Sequence, residues 1–105
     1  MELTFDEASF GLIQCPECRG TFLHHKTVTV YWRAGEDADH GLRLQSDQQS
    51  VQTTTDMTGN PSARRDGIEV EFWCESCHAR PRLTIAQHKG ATQVQWVNPP
   101  AVSKD

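Results

Sequence analysis

Four cysteines in two matched pairs are the residues of this chain whose type and spacing suit metal chemistry. They stand in "IQCPECRGTF" and "FWCESCHARPRL", at Cys15, Cys18, Cys74 and Cys77. A Cys-x-x-Cys turn brings two thiolates to one metal ion, and four thiolates fill the tetrahedral shell of a structural zinc ion. The spacing therefore predicts one structural zinc ion bound by all four cysteines.

The residues around the two pairs favour tight turns, which we call knuckle one (residues 15–18) and knuckle two (residues 74–77). Pro16 presets the backbone angle φ of the first turn. Gly20 gives the chain room to leave that turn. His78 follows knuckle two where a left-handed residue is expected, and histidine tolerates that conformation better than most residues.

Two other uses of paired cysteines are alternatives to zinc. Thioredoxin-like redox sites contain one Cys-x-x-Cys pair in a βαβ context, whereas this chain has two pairs flanked by alternating, strand-like sequence. Two structural disulfides would require an oxidising compartment. The N-terminal stretch "MELTFDEASFGL" lacks the basic and apolar segments of a secretory signal. No apolar run approaches the ~18 residues that cross a bilayer. We therefore expect a cytoplasmic protein that does not enter a membrane.

The pattern of apolar residues predicts strands. "KTVTVYWR" and "GIEVEFWC" alternate with period two, as half-buried antiparallel strands do. "RLTIAQHKGATQVQWV" predicts a hairpin that turns near Gly90. "TFDEASFGL" fits a short helix capped by Thr4 about as well as a strand or coil. The fold class is therefore mainly β, an antiparallel sheet with hairpins organised around the four-cysteine site. The predicted core comprises Phe22, Val28, Val30, Trp32, Ile68, Val70, Phe72, Leu83, Ile85, Val94 and Trp96.

The two knuckles and the strands that follow them resemble the zinc-ribbon family, in which two such knuckles on β-hairpins share one zinc ion. The 55 residues between Cys18 and Cys74 exceed the about 15–20 that are typical of this motif. We therefore predict a single domain over residues 1–98 that carries a polar insert at residues 34–66, followed by a flexible tail at residues 99–105. The stretches "RRDGIEVEFWCESC" and "QHKGATQVQW" also resemble small zinc-ribbon proteins of phages and bacterial mobile elements, which implies no particular activity.

The polar insert is expected to be the working surface of the protein. It contains few large apolar residues and many turn residues. Leu42 with Leu44, and Val51 with Thr53, indicate a polar hairpin or edge strands within it. Because the entropy of loop closure grows slowly with length, we expect a short hairpin to replace the insert at modest cost in stability.

Charge and motif content narrow the function. The formal net charge is −4, whereas domains that coat nucleic acid are usually basic. The second part of the chain, residues 61–105, is slightly basic, with six Lys and Arg against five Asp and Glu. Four cysteines leave no open position for a catalytic water, and no phosphate-binding loop or nucleophile motif occurs. The chain is therefore predicted not to be an enzyme.

One aromatic and five basic residues are candidates for partner binding. They are Arg64, Arg65, Trp73, Arg80, Arg82 and Lys89. Arginine forks bind phosphates and carboxylates, and an exposed tryptophan is a frequent hot spot. In the alternative interpretation, Trp73 covers knuckle two and the arginines pair with Glu69, Glu71 and Glu75.

We therefore predict a non-enzymatic zinc-binding interaction module, of accessory or inhibitor type, that binds a protein partner. The first alternative is a nucleic-acid-binding zinc-ribbon regulator that uses the five basic residues. The second is an enzyme whose chemistry leaves no recognisable motif. A second metal or acid–base site would require His40, His88 and Asp39 to meet, although all five histidines are better interpreted as surface residues, with His24 or His78 beside the zinc site.

Overall fold

The computed structural model describes residues 3–6 and 11–97, and within those ranges the chain is all β, without a helix. The strands are β1 (Phe5–Asp6), β2 (Leu12–Ile13), β3 (Leu23–Arg33), β4 (His40–Ser46), β5 (Val51–Asp56), β6 (Gly67–Cys74), β7 (Arg82–His88) and β8 (Ala91–Trp96). The mainly β class predicted from the sequence is confirmed. The predicted tail at residues 99–105, and residues 7–10 of the N-terminal stretch that fitted either helix or strand, lie outside the described residues.

Six of these strands form one antiparallel sheet in the order β5-β4-β3-β6-β7-β8, and β1 pairs with β2. The longest strand, β3, lies in the middle of the sheet between β4 and β6. The first part of the insert supplies β4 and β5, as its short apolar pairs indicated. The insert therefore extends the sheet instead of standing apart from it.

The hairpin predicted near Gly90 joins β7 to β8. Lys89 and Gly90 have φ values of 51° and 85°, and His88 pairs with Ala91 on either side of them. A two-residue hairpin turn with positive φ at both central positions matches the right-handed twist of the flanking strands.

The registers of the sheet align uncharged, mostly apolar side chains in two rows across all six strands. The first row is Val51, Ser46, Val28, Val70, Leu83 and Trp96, and the second is Thr53, Leu44, Val30, Ile68, Ile85 and Val94. Since alternate residues of a strand share a face, both rows lie on the same side of the sheet. We call this side the apolar face, and neither of its rows contains a charged residue.

The opposite side, which we call the polar face, is the one that the rest of the insert covers. Residues 57–66, the covering loop, bring Met57 and Ser62 to 6% and 4% exposure and leave Tyr31 on β3 only 3% exposed. Gly67 makes this approach possible, because a Cβ added there would lie 2.8 Å from Cγ of Pro61. The covering loop is thus part of the packed core.

Arg33, at the end of β3, fixes the covering loop in place. Its guanidinium donates hydrogen bonds to the carbonyl oxygens of Ala38, Ser62 and Arg65 at 2.5, 2.8 and 2.9 Å. Its backbone N–H donates to the Asp66 carboxylate at 2.8 Å. One half-buried arginine therefore satisfies backbone acceptors at both ends of the insert.

The prediction that the core residues of the strands share one face of the sheet is confirmed, but the predicted burial is wrong at three positions. Leu83 and Trp96 are buried, whereas Phe22, Trp32 and Val94 are 63%, 54% and 43% exposed. For Trp32 and Val94 the reason is that the covering loop packs on the polar face, whereas Phe22 stands before β3 and outside the sheet. Within residues 3–6 and 11–97, the strands outside the six-stranded sheet span two residues each, too few to form a second layer over the apolar face.

Candidate metal centre

Knuckle one follows β2 and is closed by its own backbone. The N–H of Arg19 donates to the carbonyl oxygen of Cys15 at 2.8 Å, and the N–H of Cys15 donates to that of Gly20 at 2.8 Å. Arg19 adopts a left-handed conformation with φ of 67°. This conformation of Arg19 was not predicted from the sequence. Arg19 stands directly after the second cysteine of knuckle one, as His78 does in knuckle two.

Knuckle two begins at Cys74, the last residue of β6, and repeats the same pattern. The N–H of His78 donates to the carbonyl oxygen of Cys74 at 2.8 Å, and the N–H of Cys74 donates to that of Ala79 at 2.9 Å. His78 has φ of 66°, which confirms the left-handed conformation expected there. The two knuckles are thus equivalent turns that approach each other at one end of the sheet.

The four sulfur atoms lie at the separations of a tetrahedral metal site. Sγ of Cys15 is 3.8 Å from Sγ of Cys77, Sγ of Cys18 is 3.6 Å from Sγ of Cys74, and all four lie within 4.8 Å of one another. A metal–sulfur bond of about 2.3 Å gives a tetrahedral edge of about 3.8 Å, whereas a disulfide bond measures about 2.05 Å. The cysteines are free thiols in this arrangement, and the cluster has the dimensions of a four-thiolate metal site.

Backbone N–H groups of each turn point at the sulfur atoms. In knuckle one, the N–H of Glu17 lies 3.4 Å from Sγ of Cys15 and the N–H of Gly20 lies 3.4 Å from Sγ of Cys18. Hydrogen bonds to the charged form of a group stabilise that form. These hydrogen bonds therefore act in favour of the thiolate, the form in which cysteine binds a metal, although burial outweighs them at Cys15.

Burial and these hydrogen bonds shift the thiol pKa values in opposite directions. Burial raises the pKa of Cys15 to about 12 in the metal-free site. At Cys74 burial also opposes ionisation, but hydrogen bonds from the N–H groups of Cys77 and Ser76 outweigh it and bring the pKa to about 7. A metal ion must therefore displace the proton of the Cys15 thiol, whereas the Cys74 thiol ionises more readily than an ordinary cysteine.

Each knuckle contributes one inner and one outer sulfur. Cys15 and Cys74 are fully buried, whereas Cys18 and Cys77 are exposed. An ion held by all four would lie at the rim of the sheet with its tetrahedral shell filled by protein. Such a closed shell is typical of a structural site, because a catalytic metal keeps a position for water or substrate.

Trp73 lies against knuckle two on the polar side of β6. Its ring stacks on His78 at 5.7 Å between centroids with 5° between the planes, and the His24 ring lies 5.8 Å away. Nε2 of His24 lies 3.1 Å from the carboxylate of Glu75. These contacts agree with the alternative interpretation, in which Trp73 covers knuckle two. Its role in partner binding stays a prediction.

The arginine pair of the covering loop is engaged with acidic residues of the β3–β4 connection. Nε and Nη2 of Arg64 donate to the Asp37 carboxylate at 2.6 and 2.9 Å. Nη2 of Arg65 donates to Glu36 at 2.7 Å. The hydrogen bond from Arg64 holds the pKa of Asp37 below its ordinary value. Both arginines therefore have carboxylate partners within the chain, from a segment that sequence reasoning had not paired with them.

The remaining predicted binding residues do not gather at one place. Arg82 lies 3.1 Å from the Glu69 carboxylate on the neighbouring strand, one of the pairings that the alternative interpretation named. Arg80 precedes β7 and Lys89 follows it, and both are exposed. The seven residues of β7 separate them by about 20 Å or more along the strand. The six candidates are thus spread over both ends of the sheet.

The histidines add no second metal group within the described residues. Among those residues, the four cysteines are the one group of three or more His, Cys, Asp or Glu side chains close enough together to hold a metal ion. Nδ1 of His40 lies 3.3 Å from its neighbour Asp39, while His88 ends β7. The site that would have required His40, His88 and Asp39 to meet is not assembled.

Comparison with protein-family models, with curated proteins and with solved structures finds no match for this chain. Among the residues that the structure describes, no helix has the length and apolar character needed to cross a bilayer.

Proposed function

We propose that the chain is a non-enzymatic, zinc-binding interaction module that binds a protein partner in the cytoplasm, as an accessory or inhibitor-type protein does. The observation that carries this proposal is the exposure of the apolar face, where Trp32 is 54% and Val94 43% exposed. Large apolar surfaces cost free energy in water, and where a soluble protein exposes one it usually marks an interaction site.

Zinc is the ion that best suits the four-cysteine cluster. Tetrahedral sets of four sulfurs bind zinc or iron, and the 3.6 and 3.8 Å separations of the sulfurs fit either. We assign zinc because four cysteines are a common structural zinc set, and because a reducing cytoplasm keeps the thiols available. The ion would join the two knuckles and take no part in catalysis, since the protein fills its shell.

Protein is favoured over nucleic acid as the partner. Three of the five basic candidates, Arg64, Arg65 and Arg82, are paired with carboxylates, so releasing them to phosphates would cost those pairs. The net charge of −4 opposes long-range attraction to a polyanion. The apolar face, by contrast, offers nothing that recognises phosphate.

Site-specific photo-crosslinking in the native host tests the proposal. A benzophenone amino acid replaces Val94 on the apolar face or, as the matched control, its neighbour Gln93 on the polar face of the same strand. We expect protein adducts from position 94 and few from position 93. Nucleic-acid adducts would instead support the regulator alternative, above all if salt-sensitive binding disappeared in Arg64→Ala/Arg65→Ala. The absence of any adduct at position 94 would contradict the proposed function.

Metal analysis tests the zinc assignment separately. Protein purified without added metal should contain one zinc ion per chain by elemental analysis. Iron in four thiolates would show itself as a coloured protein, and two disulfides with no metal would refute a metal site altogether.

A further inference from the structure

The apolar face carries two rows of uncharged, mostly apolar side chains across the whole width of the sheet. Its two rows run through all six strands without a charged residue. The charged residues of the same strands, such as Arg43, Glu69 and Arg82, alternate onto the polar face. A sheet with one apolar face ordinarily buries it against a second layer.

Residues 1–2, 7–10 and 98–105, which lie outside the described ranges, contain few large apolar side chains. These are Met1, Phe10 and Val102. Leu83 and Trp96, at the β7–β8 end of the first row, are already buried within the chain. The exposed part of the face, which includes Val51, Trp32, Leu42 and Val94, is the part that a partner would cover.

The face has enough area to form a stable interface with an equal surface. The outer strands β5 and β8 are separated by five strand spacings, which amount to about 24 Å. Together with Trp32 and Leu42 beyond the second row, the face extends about 20 Å along the strands. Two such faces, about 500 Å² each in projection, together bury about 1,000 Å², the lower limit for a specific interface.

A second copy of the chain meets this face without electrostatic conflict. Each chain carries a net charge of −4, so two copies repel each other weakly at long range. On the apolar face no like charges meet. Two sheets of this kind stack about 10 Å apart with their strands within about 30° of each other.

We propose that two copies of this chain pack their apolar faces together to form a homodimeric β-sandwich. The inference rests on the proposed function, because it names a second copy as the partner of the same face. The polar faces, with their covering loops, form the two outer surfaces of the dimer. The two metal centres lie at its rims, since each stands at the end of its own sheet.

Mass measurement on the purified, metal-loaded protein tests the dimer. Light scattering and sedimentation equilibrium over a dilution series should give twice the chain mass of 11.8 kDa. Leu44→Glu places a charge in the second row and should weaken the dimer by about 100-fold or more, because two like charges would meet or be buried unpaired. Gln45→Glu, the adjacent residue on the polar face, should change the dissociation constant by about twofold at most. Metal content and circular dichroism verify that both variants fold.

A second pair of variants covers the case in which Leu44→Glu does not fold. Val94→Glu and Gln93→Glu repeat the comparison at an edge strand where both residues are exposed. Photo-crosslinking of the purified protein from position 94 should also join two copies, and from position 93 should not. A monomer at every concentration overturns the inference, as does a dimer that neither apolar-face variant weakens. A purified monomer whose position 94 still captures another protein in cells overturns only the dimer and leaves the proposed function standing.

Discussion

Met57 provides a direct test of whether the covering loop belongs to the core. It is 6% exposed and begins the loop that packs over Tyr31 and Gly67, although its sequence neighbours are polar. Truncating a buried methionine to alanine typically costs about 2–5 kcal/mol, from lost transfer free energy and from the cavity left behind. We therefore expect Met57→Ala to lower the free energy of unfolding by about 3 kcal/mol. For a domain of this size, that loss lowers the melting temperature by ~10 °C or more.

The assay is chemical denaturation of the metal-loaded protein, followed by tryptophan fluorescence and circular dichroism. Gln52→Ala is the matched control, because it removes an unbranched side chain of similar length from the exposed strand β5 and should change stability by about 0.5 kcal/mol or less. Equal, small effects of both substitutions would refute the view that the loop is core. The same reasoning reverses the expectation that a short Gly/Ser hairpin can replace most of the insert. Removing residues 35–64 would delete Met57 and Ser62 and should unfold the protein.

Three further outcomes are expected. Cys74→Ser should lose the metal and much of the β circular dichroism, because structural zinc in small domains couples binding to folding; elemental analysis of the variant checks this. Gly67→Ala should destabilise the protein by about 1–3 kcal/mol in a denaturation curve, because the added methyl group would press on Pro61. Metal affinity should fall by at least about 100-fold for each pH unit from 8 to 6, because burial raises the pKa values of Cys15 and Cys77 and each thiol proton that the metal displaces contributes about 10-fold. Competition with a chelator at several pH values measures that slope, and an affinity independent of pH would contradict it.

Local patterns in the sequence predicted most of the strands. Period-two alternation located β3 and β6, and the turn residues located the β7–β8 hairpin. The paired cysteines predicted the four-cysteine cluster, because two thiols three positions apart are a local signal that needs no knowledge of the fold. Arg19 carries a local signal of the same kind, since it follows the second cysteine of knuckle one as His78 follows that of knuckle two.

Alternation alone cannot say which face of a sheet is covered. It correctly placed Val30, Ile68 and Ile85 together, but their burial depends on what packs against them. The covering loop lies on the polar face because Arg33 binds carbonyl groups from both ends of the insert and because Gly67 admits Pro61. These are contacts between segments about 30 residues apart in sequence, beyond the reach of any local pattern. The pairing of Arg64 with Asp37 escaped prediction for the same reason.

The position of Cys74 has a consequence for the alignment of the whole sheet. Cys74 pairs with Leu23 at the end of the β3–β6 ladder, so an ion held by both knuckles clamps the two central strands where they would otherwise fray. It would also join two knuckles that 55 residues separate, and because the site exists only in the folded chain, the free energy of binding would add to the free energy of folding. A slip of one residue between β3 and β6 would turn every side chain of one strand to the other face, and would displace Cys74 by about 3.4 Å from knuckle one. After such a shift, Cys74 would be too far from knuckle one for all four sulfurs to bind the same ion. A metal ion at the rim would thus keep Val28 opposite Val70, and with them the alignment of both rows.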